Sequence, residues 1–251
     1  MEPHLEQRER EYIRAFTAYT LFSDEKKSLY ERIALTVERA GALSLFDIGP
    51  GGGELAIPLS SLVDRYCAIE QNPSYARSLR ALDLAVLEGR FPVLAEELDQ
   101  CDVVLISHAL PRHPAEYEPF LAKAWECVAR GGVLVVIVHK DVPSAWKDFL
   151  VACDLSAPSP DIARTERLKE HVSLLGETEI DTLTTFVSTF SLKGMLSALS
   201  FVYASGQPKK TAEFETRSSA IVRYLKTHHY GGSGKEYRFP FQHLFVEVWK
   251  G

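Results

Sequence analysis

Between about residues 43 and 140, short apolar runs alternate with segments of helical period, the pattern of βαβ units around a parallel sheet. Runs at 43–48, 66–70, 84–87, 102–107 and 133–139 are apolar enough to be buried on both faces. Between them, Asn72 before Pro73 reads as an N-cap with proline at the first helical position, and Ser144 as the cap of a segment carrying Trp146, Phe149 and Leu150. Phe120, Ala124, Cys127 and Val128 recur at helical spacing, with Gly131 as a left-handed C-cap. Pro58 falls inside the first helix of this region and predicts a late start or a kink. Upstream, Ser23 caps a helix striped by Leu29, Ile33, Val37 and Ala40 and ended by Gly41, so residues 1–40 form a helical prefix. Downstream come a Ser/Pro-rich loop at 156–161, a helix closed by Gly176, a period-2 strand at 178–190, helices at 192–203 and 212–226, and a last strand at 241–249. The pattern predicts an α/β fold: a doubly wound, seven-stranded, mostly parallel sheet with an antiparallel late strand and helical cover.

A length of 251 residues fits one such domain with decorations. The net charge of −6 argues against a general nucleic-acid binder and suits a cationic ligand. The N-terminal MEPHLEQRER has no signal-peptide core, and the longest apolar run is far short of the roughly 20 residues of a membrane helix, so a cytoplasmic protein is expected. Cys67, Cys101, Cys127 and Cys153 form no C-x-x-C pair and have no histidine at zinc-ligand spacing beside them, so they read as reduced core thiols and no metal is expected.

The most informative segment is LSLFDIGPGGGELAIPL, a strand running into a glycine loop and then a helix. Glycines there let the backbone turn sharply and approach a ligand. The dinucleotide pattern G-x-G-x-x-G fits Gly49 and Gly51 but meets Glu54 at its third glycine, and Asp47 at the strand end adds a second acid that repels a pyrophosphate. A nicotinamide-dependent oxidoreductase is therefore the rival reading.

DIGPGGG resembles motif I, [D/E]-x-G-x-G-x-G, of the class I S-adenosylmethionine-dependent methyltransferases, and the resemblance runs from about residue 40 to 140. It implies a Rossmann-like sheet and S-adenosylmethionine as cofactor, whose net charge of about +1 is favoured by nearby acids. By the resemblance, Asp47 orients the methionine end, Gly49, Gly51 and Gly53 let the cofactor lie against the backbone, and Glu70 takes the ribose hydroxyls. Glu88 or the backbone beside it matches the adenine-edge position, and Ser107 and His108 match positions beside the methionine portion and the methyl.

Methyl transfer is an in-line displacement needing alignment more than a universal base. The chain has SHALPRH after the fourth strand, where enzymes that methylate base amines carry N-P-P-Y, so a small-molecule acceptor, amine or hydroxyl, is expected rather than nucleic acid. His108 and His113 are candidates to take the acceptor's proton. The N-terminal Y-I-x-x-F and following S-x-E resemble the histamine N-methyltransferase type, which implies Tyr12, Phe16 and Glu25 as substrate contacts; alternatively the aromatics form a core stripe and Glu25 is a first-turn acid. His228 and His229 read as solvated helix-end residues, and GGSGK at 231–235 fails the phosphate-loop pattern. The expected organisation is a helical lid at 1–40 and a methyltransferase domain at 41–251, whose insertions at about 153–176 and 191–230 close over the acceptor. A silent domain that binds the cofactor and works through partners is the rival from outside the enzymes.

Overall fold

The computed structural model describes Phe16 and residues 19–111, 113–140, 144–156, 162–204, 207–232 and 235–251. The elements are α1 (Glu25–Ala40), β1 (Ser44–Ile48), α2 (Ala56–Ser60), β2 (Arg65–Glu70), α3 (Pro73–Arg80), β3 (Ala85–Glu88), β4 (Cys101–Ser107), α4 (Tyr117–Glu126), β5 (Val128–His139), α5 (Ala145–Ala152), α6 (Ile162–Ser173), β6 (Glu177–Thr189), α7 (Leu192–Ala204), α8 (Pro208–Thr216), α9 (Ser218–His228), β7 (Tyr230–Gly231) and β8 (Glu236–Trp249). The sheet order is β3-β2-β1-β4-β5-β8-β6, and the two-residue β7 pairs with β8. Strands β1 to β5 pair in parallel, while β8 runs antiparallel to β5, as the alternation of apolar runs predicts.

The chain divides into two compact units. The larger comprises Lys27–Lys140, Asp161–Leu183 and His243–Gly251. Its central strands are buried on both faces, with side chains alternating between two cores. Leu45, Val103, Leu105, Val133, Val135 and Ile137 enter one core, against Leu29, Ile33 and Val37 of α1. Phe46, Val104, Ile106, Leu134 and Val136 enter the other, against Phe120 and Leu121 of α4 and Leu168 and Val172 of α6. Most of α1, expected within the helical prefix, thus belongs with the sheet. It is also tied to β8, where Glu247 accepts from Thr36 Oγ1 at 2.6 Å and pairs with Arg32 at 2.8 Å and Arg39 at 3.0 Å.

The smaller unit comprises the described residues within Met1–Lys26, Asp141–Pro160 and Thr184–Gln242. Its core is rich in aromatics, among them Tyr19, Phe149, Tyr203, Phe214, Phe239 and Phe241. All four cysteines of the chain are buried free thiols. Among the described residues, no helix is long and apolar enough to cross a membrane.

Local chemistry explains where the expected boundaries hold and where they move. Asn72 caps α3 by accepting from the Ser74 and Tyr75 N–H groups, with Pro73 at the first position. Pro58 is accommodated in the five-residue α2 with the loss of one ladder bond, while the flanking Ile57 and Leu59 N–H groups still donate to Gly53 O at 2.9 Å and Leu55 O at 3.0 Å. Gly131 is not a helix cap: α4 ends at Glu126, and Gly131, at φ +79°, lies within β5. The Lys250 ammonium takes over the capping task, donating to Trp125 O at 3.0 Å and Val128 O at 2.7 Å. The predicted helix at 212–226 is two helices, α8 and α9, meeting at Arg217, which stands outside helical geometry at ψ 7°.

Candidate functional site

The glycine loop leaves β1 at the C-terminal edge of the parallel strands, where ligands of open α/β sheets bind. Gly49, Gly51 and Gly53 all sit in the left-handed region, at φ +76°, +60° and +96°. The three differ in what surrounds them. A Cβ at Gly49 lies 2.8 Å from Ala109 Cβ, so the loop is pressed against the segment that follows β4. A Cβ at Gly53 lies 2.5 Å from Leu79 Cδ2, on the helix α3 side. Among the described residues a Cβ at Gly51 meets no atom within 4 Å, so this glycine has a face that they leave open.

Glu70, at the end of β2 and 5% exposed, is locked onto that loop. Its Oε2 accepts from Gly51 N at 2.9 Å and its Oε1 from Asn72 N at 2.7 Å. A carboxylate has lone pairs beyond these two for further donors such as hydroxyls. Asp47, 2% exposed within β1, accepts from the Tyr66 hydroxyl at 3.0 Å. Burial, reinforced by the Asp47 charge, pushes the Tyr66 hydroxyl well above its ordinary range, so it stays a protonated donor. Ser107 ends β4, and its buried Oγ has no hydrogen-bond partner among the described residues.

The other predicted residues fall into different settings. Glu88 sits beside Glu70 in the parallel ladder but is exposed and paired with Arg80. His108 follows Ser107 at φ +56°, half-buried, while His113 is exposed before the turn Pro114–Glu116. Tyr12 lies outside the described residues. Phe16 packs on Phe201 at a centroid distance of 5.8 Å. Glu25 is buried in the first turn of α1, where it accepts from the Tyr19 hydroxyl at 2.8 Å and pairs with Lys26 at 2.9 Å.

Three residues near these positions escape the sequence reading. Tyr66 looks like any strand residue until the ladder sets its ring beside Asp47. His139 and His243 lie in β5 and β8, opposite each other in the antiparallel ladder, and their rings contact that of His108. No spacing along the chain marks them; only the pairing of strands does.

The fold has known counterparts. The plantazolicin methyltransferase BamL, solved with a triazolic desmethyl analog and SAH, superposes with a TM-score of 0.55 at 11% identity, covering 99% of this chain and 91% of that one. The O-methyltransferase TomG from Streptomyces achromogenes, involved in tomaymycin synthesis and solved with SAM, gives 0.50 at 16% identity, covering 96% and 89%. The YcgJ protein from Bacillus subtilis gives 0.50 at 12% identity, covering 86% and 96%. These likenesses establish the Rossmann-like α/β fold. No family model matches the chain. No curated protein matches it in sequence.

Proposed function

We propose that this chain is a methyltransferase that uses S-adenosylmethionine and a small-molecule acceptor, an amine or a hydroxyl compound. The observation that carries the reading is the pairing of Glu70 with Gly51: a buried acid at the end of β2, held by the N–H of a glycine whose other face is open. The donor set suits the cofactor. Two buried carboxylates, Asp47 and Glu70, favour a ligand of net positive charge and disfavour a pyrophosphate. The Ser107 hydroxyl, buried with no partner among the described residues, supplies a polar group for a ligand at the end of β4.

When bound, S-adenosylmethionine supplies an electrophilic methyl group for in-line displacement. In this reading Glu70 takes the ribose hydroxyls, Gly49, Gly51 and Gly53 let the cofactor lie against the backbone, and Glu88 or the adjoining main chain meets the adenine edge. Asp47, its own orientation fixed by Tyr66, orients the methionine end, with Ser107 beside it. His108 and His113 are the proposed proton acceptors. Phe16 and Glu25, with Tyr12, are the proposed acceptor contacts. An aromatic face and a carboxylate suit a protonated amine, but Lys26 already balances the Glu25 charge, which supports keeping hydroxyl acceptors in the reading. A cytoplasmic enzyme resembling the histamine N-methyltransferase type is the finer form of the proposal. The named activities of BamL and TomG, methylation of natural products, are consistent with a small acceptor.

Thermal unfolding with S-adenosylhomocysteine tests the reading. A ligand at 100 times its Kd adds about 2.7 kcal/mol to the native state, which for a chain of this size raises the midpoint by roughly 5–10 °C. No shift with S-adenosylhomocysteine beside a clear shift with NAD overturns it in favour of an oxidoreductase. Cofactor binding with no methyl transfer across a broad acceptor panel favours the silent domain.

A further inference from the structure

Among the described residues, His108, His139 and His243 bring three imidazoles together within the larger unit. They come from three places in the chain, and the strand pairing explains why they meet. His139 stands directly opposite His243 in the antiparallel β5–β8 ladder, so both side chains leave the sheet on the same face. Ser107 pairs with Ile137 in the parallel β4–β5 ladder, and regular alternation sends the next residue to the opposite face. His108 breaks that alternation. Its N–H still donates to Ile137 O at 2.9 Å, but its φ of +56° turns the chain, and its ring meets both of the others. A left-handed conformation at a non-glycine residue is uncommon and tends to be kept where it aims a side chain at a ligand.

The geometry suits a shared ion. The ring centroids are 4.5 Å apart for His108 and His139, 5.3 Å for His108 and His243, and 4.9 Å for His139 and His243. Three imidazoles bound to one tetrahedral zinc at Zn–N distances of about 2.0–2.1 Å have centroids about 5 Å apart. The ligand nitrogens lie within 4.8 Å of one another, against about 3.4 Å in such a site, so the rings turn inward to share an ion. Burial grades from His243, 0% exposed, through half-buried His108 to exposed His139, leaving one side accessible. Imidazoles without a carboxylate select zinc, copper, nickel or cobalt over magnesium or calcium. The neighbouring Lys140 ammonium is turned to Thr182 Oγ1 at 3.3 Å.

We propose that His108, His139 and His243 bind one divalent transition-metal ion of the zinc class, with a fourth position left to solvent or a substrate atom, as in zinc sites that do chemistry rather than hold a fold. The site does not depend on the cofactor reading. In the loaded protein His108 is a ligand and no longer takes a proton, so the proton-accepting role belongs to the metal-free form.

The full chain, stripped with a chelator, is titrated with zinc by calorimetry and with cobalt by visible absorption. One ion per chain and a tetrahedral cobalt spectrum are expected. His139→Ala, at an exposed position, leaves the metal-free unfolding midpoint in place and weakens zinc at least about 100-fold, the upper end of what even outer-shell partners are worth. His113→Ala, an exposed histidine outside the cluster, leaves zinc affinity unchanged. No uptake by the folded native chain, or equal uptake by His139→Ala, overturns the proposal. Affinity for S-adenosylhomocysteine, measured on the stripped protein, reports on the cofactor reading alone, so either can fail without the other.

Discussion

Gly51 and Gly41 provide a matched pair. Their φ values are +60° and +55°, and a Cβ added to either meets no atom of the described residues within 4 Å. Gly41 closes α1, where its N–H donates to Glu38 O and the Ala42 N–H to Val37 O, both at 3.0 Å. Gly51 lies on the loop, its N–H on Glu70. Alanine in the left-handed region costs about 1–2 kcal/mol, so both variants should lose a similar amount of stability, roughly 2–8 °C in the midpoint. They differ in what fills the open space. If a cofactor lies on Gly51, the added methyl group overpacks the contact by about 1–3 kcal/mol, a loss of roughly 5- to 150-fold in affinity. Calorimetric titration with S-adenosylhomocysteine should show that loss for Gly51→Ala and native affinity for Gly41→Ala, with thermal unfolding confirming equal folding costs. Native affinity in Gly51→Ala, or an equal loss in Gly41→Ala, refutes the placement.

Glu70→Ala leaves the Gly51 and Asn72 N–H groups without their acceptor and removes the proposed ribose contact. With hydrogen bonds to a charged group worth about 1.5–3 kcal/mol, S-adenosylhomocysteine should bind roughly 10- to 150-fold more weakly by calorimetry, and unchanged affinity removes Glu70 from the site. In the smaller unit, the nearby Tyr203 hydroxyl and hydrogen bonds from the Ser156 hydroxyl at 2.7 Å and N–H at 2.8 Å lower the Glu213 carboxyl from its ordinary 4.5 to about 2. A depressed carboxylate stabilises the fold above its unfolded value and loses that contribution as pH falls through its folded value. Acid unfolding followed by circular dichroism should therefore show native stability falling between about pH 4.5 and 2, with a shallower fall in Glu213→Gln; identical slopes would remove this carboxylate from the acid limb.

The parts of the molecule legible in the sequence are those set by neighbours along the chain. Asp47, the glycines and Glu70 announce themselves because a strand end, a turn and the next strand end are local features, and the structure places them together at one edge of the sheet. The alternation of Leu45 and Phe46, or of Val104 and Leu105, between two cores is local too, a consequence of period two. What stayed hidden depends on partners distant in sequence. The helix before Gly131 finds its cap in Lys250, at the far end of the chain, so no local pattern could say that the glycine was free to enter a strand. Tyr66 reaches Asp47 only through the ladder between β1 and β2. The histidine cluster is the extreme case, because it rests on a register. Slipping β8 by one residue against β5 sends His243 to the other face and sets Gln242 or Leu244 against His139, dissolving the cluster while leaving the amino-acid sequence untouched. The register is held by Phe245, Glu247 and Trp249, which share His243's face: Phe245 is buried in the core beneath α1, Trp249 packs against it, and Glu247 is fastened to Arg32, Thr36 and Arg39. The contacts that look purely structural, at the far end of β8, are thus what brings the three imidazoles within reach of one ion.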